Sequence, residues 1–390
     1  MIEVKQALSI IRDIRFSDRN TESRPAREAL NGILAEDITA KQDIPRFDNS
    51  AMDGYVVKKK DLDSGRRTFP VAFEVRPENP EPGTLPDGEC AQIMTGGKIP
   101  PGADFVIPVE MTASENNTMT VKEVPKRNAI RKQGEGYRKG EVLLTKGSLI
   151  RPYETGLCIE SGNPEVKVKS PVQIGVQVTG SEIDETNNTN GPVLTGLIKN
   201  WPSASVREHP VLGDDPGLVT KRLKKLKEEN DLILTTGGIS AGKHDYLFRA
   251  LTELGAECLI RKINQKPGKP FTLFRWDDTI VCCLPGNPVS SVFTAEFYAQ
   301  RILCLMNGLD EPQDLQAEVT VAMRNPSSKT LFVPGKLLFS DGVLRIEADA
   351  KMRSHLMQLY SDCNVYLRLE PKSEYKKGET ISCLPFTTGL

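Results

Sequence analysis

The chain has 390 residues, more than one hydrophobic core commonly serves, so two or more domains are expected. Its 51 basic and 52 acidic residues nearly cancel, which argues against a protein whose main work is coating nucleic acid and makes any anion site a local one. No apolar run reaches bilayer length, and the start MIEVKQALSIIRDIRF carries charges throughout, unlike a secretory signal, so a cytoplasmic globular protein is expected. Three histidines (His209, His244, His355) and eight scattered cysteines, of which only Cys282 and Cys283 are adjacent, leave no zinc-knuckle spacing and argue against a histidine-centred triad. The cysteines read as buried thiols, and chemistry falls to carboxylates, lysines and hydroxyls.

In chain order, apolar residues at three- and four-residue spacing predict helices over residues 4–14 and 26–35. From Pro45 to Gly140 short apolar segments (YVV, VAF, FVIPVE, MTVKEV) alternate with Pro and Gly, the texture of a β-rich insert. The stretch KGEVLLTKGSLIRPYETGLCIESG then reads as turn, strand and helix returning to the N-terminal piece. Residues 172–307 alternate strands with helices, and the near-continuous apolar strands DLILT and TIVCCL fit a parallel sheet covered on both faces. After Asp310 alternating segments such as VTVAM, VLRIEA and NVYLRLEP predict a small all-β cap. The fold class is multidomain α/β plus β. Its expected divisions are a discontinuous linker domain over 1–45 and 141–171, a β-rich insert over 46–140, an α/β domain with a parallel-sheet core over 172–307, and a β-barrel-like domain over 308–390.

Two strands of the α/β region run into loops rich in Gly and small polar residues. One carries Thr236, Gly237, Gly238 and Ser240; the other carries Pro285, Gly286, Asn287, Pro288 and Ser290. Open parallel sheets bind ligands at the C-terminal edge of their strands, where glycines let backbone N–H groups approach an anion, so a phosphate pocket is the natural reading. Neither loop is a Walker A or GxGxxG sequence, which leaves nucleotide hydrolysis and NAD chemistry without support. Taken singly, a GG turn is a tight connection; two in one sheet favour the site.

The segment RKINQKPGKP spaces Lys262, Lys266 and Lys269 around a Pro-Gly turn. Three ammonium groups on one loop repel each other unless an oxyanion neutralises them; the bland alternative is three solvated lysines. The β-rich insert opens on PRFDNSAMDGY, where Asp48, Asn49, Ser50 and Asp53 can cap, turn or bind, and the later MTGGKIPPGAD, with Thr95, is equally open. Glu182, Asp214, Asp215 and Asp245 fall beside α/β elements. They could hold Mg²⁺, which takes one or two carboxylates plus phosphate oxygens, although each alone is a common cap or surface group.

Read together, FDNSAMDGYVV, IMTGGKIPPGADFVIPVE, RKQGEGYRKGEVLL, TGSEI, TNGPVL, DDP, DLILTTGGISAGKHDY, KPGKP and LPGNPVSS resemble, in order and nearly end to end, the molybdopterin molybdenumtransferases, the MoeA proteins and the gephyrin E domain. The resemblance implies a linker domain, a β-insert, a molybdopterin-binding α/β domain and a C-terminal β domain in an elongated homodimer. It implies that molybdate and adenylylated molybdopterin meet with Mg²⁺, the adenylate is hydrolysed, and molybdenum cofactor and AMP leave.

By position, the resemblance makes Asp53, Thr95, Glu182, Asp214, Asp215, Asp245, Lys262 and Lys266 the catalytic candidates, with Asp53 and Thr95 acting in the partner's cleft. Lys266 and Lys269 would hold the oxyanion, Glu182 and Asp245 the metal or the attacking water, and the TTGGIS loop the pterin or phosphate. Implied partners are molybdopterin adenylyltransferase and apo-molybdoenzymes. Three residues differ from the family pattern: Gly136 and Ser181 stand where aspartates are usual, and Pro334 where an arginine would join Ser354 on molybdate. Arg353, Lys336 and Lys351 are the nearby cations that could replace it. A non-catalytic pterin-binding scaffold and a tungstate-using homologue are the alternatives these differences leave open.

Overall fold

The computed structural model describes residues 1–78, 81–239, 245–348 and 357–387. Contacts divide the chain into two compact units, one comprising Met1–Glu22, Asn31–Ala35 and Lys167–Leu390, the other Ser23–Leu30 and Glu36–Val166. The first helix, α1, spans Val4–Arg12 and buries Val4, Ala7, Leu8 and Ile11 along one stripe. The second predicted helix, over residues 26–35, does not form: a single 3-10 turn at Ala26–Glu28 ends where Asn31, before Gly32, adopts a φ of 62° that no right-handed helix can continue.

The smaller unit holds a six-stranded sheet of β1 Gly54–Val57, β2 Thr68–Val75, β3 Cys90–Ile93, β4 Phe105–Pro108, β5 Thr112–Glu115 and β6 Thr118–Val121, in the order β4-β1-β3-β2-β6-β5. Its central strand β1, GYVV, is buried at every residue because both faces are covered: Tyr55 and Val57 enter one core cluster, Val56 the other. The helix α2, Pro152–Glu160, belongs to the same unit.

The α/β sheet of the larger unit contains β7 Val172–Thr179, β8 Ala204–Leu212, β9 Leu232–Thr236, β10 Glu257–Arg261, β11 Thr272–Trp276 and β12 Thr279–Leu284, ordered β8-β7-β9-β12-β11-β10. Its connecting helices are α3 Asn190–Ile198, α4 Pro216–Glu229 and α5 Tyr246–Glu253. The period of two divides the apolar strands between two cores: Leu232, Leu234, Ile280, Cys282 and Leu284 pack in one, Ile233, Val281 and Cys283 in the other. Each fully buried aliphatic side chain of this kind contributes about 1.5–3 kcal/mol, so these strands are held by burial on both sides.

The sheet has the expected parallel core of four strands, extended at one edge by two antiparallel strands. Strands β7, β8, β9 and β12 are parallel, but β11 pairs antiparallel with β12, and β10 antiparallel with β11. The cause is local: only Asp277 and Asp278 separate β11 from β12, and Asp277 has a φ of 56°. A two-residue turn returns the chain antiparallel, whereas a parallel return needs a crossover of a dozen residues or more.

After β12 a continuous helical run extends through α6 Pro288–Thr294, a π-turn at Ala295–Ala299 and α7 Gln300–Asn307. The chain then enters β13 Leu315–Val319, β14 Thr330–Ser340, β15 Val343–Ala348, β16 Val365–Leu369 and β17 Thr380–Pro385. These pair in the cycle β14-β15-β13-β17-β16-β14, a closed five-stranded barrel filled by Val319, Val333, Ile346, Leu367 and Cys383. Glu296 of the π-turn is buried between helix and barrel, accepting hydrogen bonds from Tyr366 Oη (2.8 Å) and Thr387 N (3.0 Å), and burial pushes its carboxyl up. Six cysteines are buried as expected. Cys258 is exposed on the edge strand β10, and Cys363 is half-buried in the connection before β16.

Candidate functional site

In the α/β sheet the chain passes from β7 to β8 on one side and then to β9 on the other, so the strand order reverses beside β7. Ligands of open α/β sheets bind at such a switch point, outside the carboxyl ends of the strands. There a cleft of about 490 Å³ opens among Gly237, Gly238 and Ile239 after β9, Pro285, Gly286, Asn287 and Ser290 after β12, and Lys262, Lys269 and Pro270 after β10. All three sequence segments chosen for anion binding therefore converge on one cleft. Among the described residues its lining includes two lysines and no carboxylate.

The glycines permit this convergence. Gly237 has a φ of 82°, and a Cβ there would lie 2.5 Å from the Thr179 carbonyl oxygen; Gly238 has a φ of 61° and would meet the Tyr246 ring at 2.8 Å. A Cβ on Gly286 would lie 3.6 Å from Gly237 Cα, so the two loops approach backbone to backbone. Asn190, at the start of α3, donates its Nδ2 to the Gly286 carbonyl (2.8 Å). Asn287 Oδ1 caps the following helix through Ser290 N (3.4 Å), turning the positive end of that helical run to the cleft.

The lysine loop is fixed by its backbone and by the N-terminus. Lys262 N donates to Phe271 O (3.1 Å) and Ile263 N to Lys269 O (2.9 Å), while Ile2 N reaches Lys262 O (3.2 Å) and Asn264 N reaches Ile2 O (2.8 Å). Tyr298 Oη hydrogen-bonds the buried Gln265 Oε1 from below. Lys266 does not join the cleft lining. It lies exposed in a two-residue strand, Gln265–Lys266, paired with Thr330 and Leu331 of β14, whereas Lys262 and Lys269 are the lysines among the residues lining the cleft.

The acidic candidates have separate partners. Asp215 Oδ1 accepts from Leu218 N (2.8 Å) and caps α4, which begins at Pro216; an Asp-Pro pair at a helix start is a local folding signal. Asp214 exchanges hydrogen bonds with Ser181 and accepts one from Tyr246. Asp245 pairs with Arg261 at 3.3 Å, whose guanidinium stacks 3.8 Å over Phe248. Glu182 is exposed, its carboxylate against Gly180.

Among the described residues no three His, Cys, Asp or Glu side chains are grouped to hold a metal. Glu182 and Asp245 lie on the separate loops that follow β7 and precede α5, a donor set that suits Mg²⁺ only as an ion carried largely by phosphate oxygens. Thr236 is buried at the end of β9 and Pro288 is the first residue of α6, neither lining the cleft. Ser240, Ser354, Lys351 and Arg353 lie outside the described residues.

In the smaller unit Asp53 and Thr95 are joined directly: Thr95 donates its backbone N–H (2.7 Å) and its Oγ1 (2.8 Å) to Asp53 Oδ1. These two donors, the backbone one first, hold the Asp53 carboxyl below the usual carboxylate range. A carboxyl with a depressed folded pKa contributes stability above its ordinary pKa that is lost as pH falls through the folded value. Thr95→Val is therefore expected to move the Asp53 titration upward, and an NMR carboxyl titration that shows no upward movement would refute the assignment. Gly136 leaves no room for the aspartate of the family pattern, since a Cβ there would lie 2.9 Å from the Ile44 carbonyl oxygen. Pro334 is buried in β14 opposite Tyr366, where it offers no donor.

Fold and site together define an α/β scaffold with a cleft walled by two glycine loops and lined by Lys262 and Lys269. Residues 2–162 match the family model described as the MoeA N-terminal region (domain I and II), and residues 175–303 that of a "Probable molybdopterin binding domain". The chain is 31% identical over 404 residues to a molybdopterin molybdenumtransferase of Haemophilus influenzae, covering 99% of both, and 29% identical to that of Bacillus subtilis, covering 93% of this chain and 89% of the relative. A crystal structure of a molybdopterin biosynthesis MoeA protein from Pyrococcus horikoshii superposes with a TM-score of 0.80 at 27% identity, covering 99% of this chain and 100% of that one. The chain belongs to the molybdopterin molybdenumtransferase family and is a transferase. No helix among the described residues is long and apolar enough to cross a membrane.

Sequence reasoning missed Tyr246, Thr179, Ser181 and Asn190 as members of the network around the cleft. Ser181 and Tyr246 lie in the TGSEI and KHDY segments, but nothing in their spacing announces that they meet Asp214.

Proposed function

We propose that this chain inserts molybdenum into adenylylated molybdopterin, taking molybdate as the metal source and releasing molybdenum cofactor and AMP. The observation that carries the reading is the cleft itself, lined by Lys262, Lys269 and two glycine loops, with no carboxylate among the described lining residues. A dianion leaving water needs replacement donors, and a loop whose backbone is already fixed presents two ammonium groups to it. The glycine loops bring backbone N–H groups and the end of a helical run to a phosphate or pterin. Hydrolysis breaks the bond between the adenylate phosphorus and the pterin phosphate, with water supplying the oxygen and two protons shared between the products.

Glu182 or Asp245 would offer a carboxylate to a Mg²⁺ ion arriving with the substrate, and the ion would supply charge neutralisation at phosphorus. Homodimer assembly and action in the cytoplasm belong to the same reading. A non-catalytic pterin-binding role is the second reading, favoured by Pro334, which cannot replace an arginine donor. Incubation with adenylylated molybdopterin, Mg²⁺ and increasing molybdate separates them. AMP release that rises with molybdate, together with reconstitution of an apo-molybdoenzyme, is expected; tight pterin binding without AMP at any molybdate concentration overturns the transferase reaction in favour of the scaffold.

A further inference from the structure

The wall of the cleft formed by Gly237 and Gly238 has no side chains of its own, so its position must be set from behind. Two contacts do this. The Gly237 backbone sits on Thr179, and the Gly238 backbone on the ring of Tyr246, the first residue of α5. Leu247 N also donates to Gly238 O (3.3 Å), tying the same turn to the start of that helix.

The Tyr246 hydroxyl continues inward, meeting Asp214 Oδ1 and Thr179 Oγ1, the latter at 3.1 Å. The proton inventory decides how these groups share. Thr179 Oγ1 gives its single proton to the Thr236 carbonyl (2.9 Å), which leaves the Tyr246 proton for the Asp214 carboxylate, the stronger acceptor. Burial, with the Asp214 hydrogen bond, pushes the Tyr246 phenol up, so it remains a donor. On its other side Asp214 is clasped by Ser181: Ser181 N donates to Asp214 Oδ2 (3.3 Å), and Asp214 N donates to Ser181 Oγ (3.0 Å). The loops after β7 and β8 are thereby fastened to α5, and through it to the glycine turn after β9.

We propose that Tyr246 is a positioning residue of the cleft, its hydroxyl coupling the Ser181–Asp214 clasp to the Gly237–Gly238 wall. The inference rests on the cleft being the substrate site. Losing one hydrogen bond to a charged group leaves Asp214 with a single clasp and lets the turn drift, which weakens binding without removing any group that touches the substrate. Ser181 has a second consequence. A carboxylate at position 181 would stand beside Asp214 and repel it, so the clasp depends on serine being uncharged.

The test compares Tyr246→Phe, Ser181→Ala and the double variant in the full chain. It follows AMP release from adenylylated molybdopterin and hydrogen–deuterium exchange of the peptide spanning residues 235–239. Tyr246→Phe keeps the ring beneath Gly238 and is expected to raise KM about tenfold with kcat nearly unchanged, while exchange in the peptide increases. Ser181→Ala should act in the same direction, and the double variant should be no worse than the stronger single one, because both cut one network. Unchanged KM and exchange in Tyr246→Phe would overturn the proposal, as would full additivity or a loss confined to kcat. If the unmodified protein releases no AMP, the functional reading fails while the exchange measurement still decides the network: a rise in both single variants supports it, and no rise overturns it.

Discussion

Replacing Lys269 by alanine is expected to weaken binding of the anionic substrate by about 10- to 100-fold, the loss of one charge-assisted hydrogen bond to the anion. The backbone of the loop should survive, because its closure runs through the Ile263 N to Lys269 O bond (2.9 Å) and the Lys262 N to Phe271 O bond (3.1 Å), neither of which involves the ammonium group. Lys266→Ala is the internal control. It is not among the residues lining the cleft, so its loss should cost far less. The measurement is KM for molybdate and for the pterin substrate at several ionic strengths. A Lys266→Ala variant more impaired than Lys269→Ala would show that the wrong lysine has been placed on the anion. A salt dependence that disappears in Lys269→Ala would support the assignment.

The second large effect is expected at Gly237. An alanine there must hold a φ of 82° and place its methyl 2.5 Å from the Thr179 carbonyl oxygen, a backbone atom that cannot swing aside. Left-handed strain and the clash together predict about 2–4 kcal/mol of lost stability, with loss of the cleft. Gly286→Ala is the instructive contrast. Its nearest neighbours lie at 3.6 and 3.8 Å, ordinary contact distances, so the fold should tolerate the methyl while it narrows the space between the two loops. Denaturant melts and substrate binding on both variants separate the two effects. Equal stability of Gly237→Ala and the unmodified protein would contradict the geometry of the turn.

Much of the architecture was legible because the signals are local. The apolar strands Leu232–Thr236 and Thr279–Leu284, the glycine turns that follow them and the alternation of the barrel strands all express physics within a few residues. The helix predicted over 26–35 failed for a local reason as well, since Asn31-Gly32 is a turn signal that apolar periodicity overrode in the reading. The antiparallel edge of the sheet was likewise written in the two-residue Asp277-Asp278 connection.

The sequence by itself determined the residue types at the cleft: glycines where backbone must approach backbone, and lysines on a closed Pro-Gly loop. It could not decide which lysines face inward, because Lys262, Lys266 and Lys269 lie on one short loop. Their directions depend on the pairing of Gln265–Lys266 with β14, more than sixty residues later, and on the docking of Ile2 beside Ile263. Nor could it separate Asp214 from its neighbour. Asp215 is spent on capping α4, whereas Asp214 is held by Ser181 and Tyr246 from two distant loops. Short-range preferences fix turns, strands and caps because their partners are neighbours in the chain; a site is made of contacts between segments far apart, and only the packed sheet brings those together.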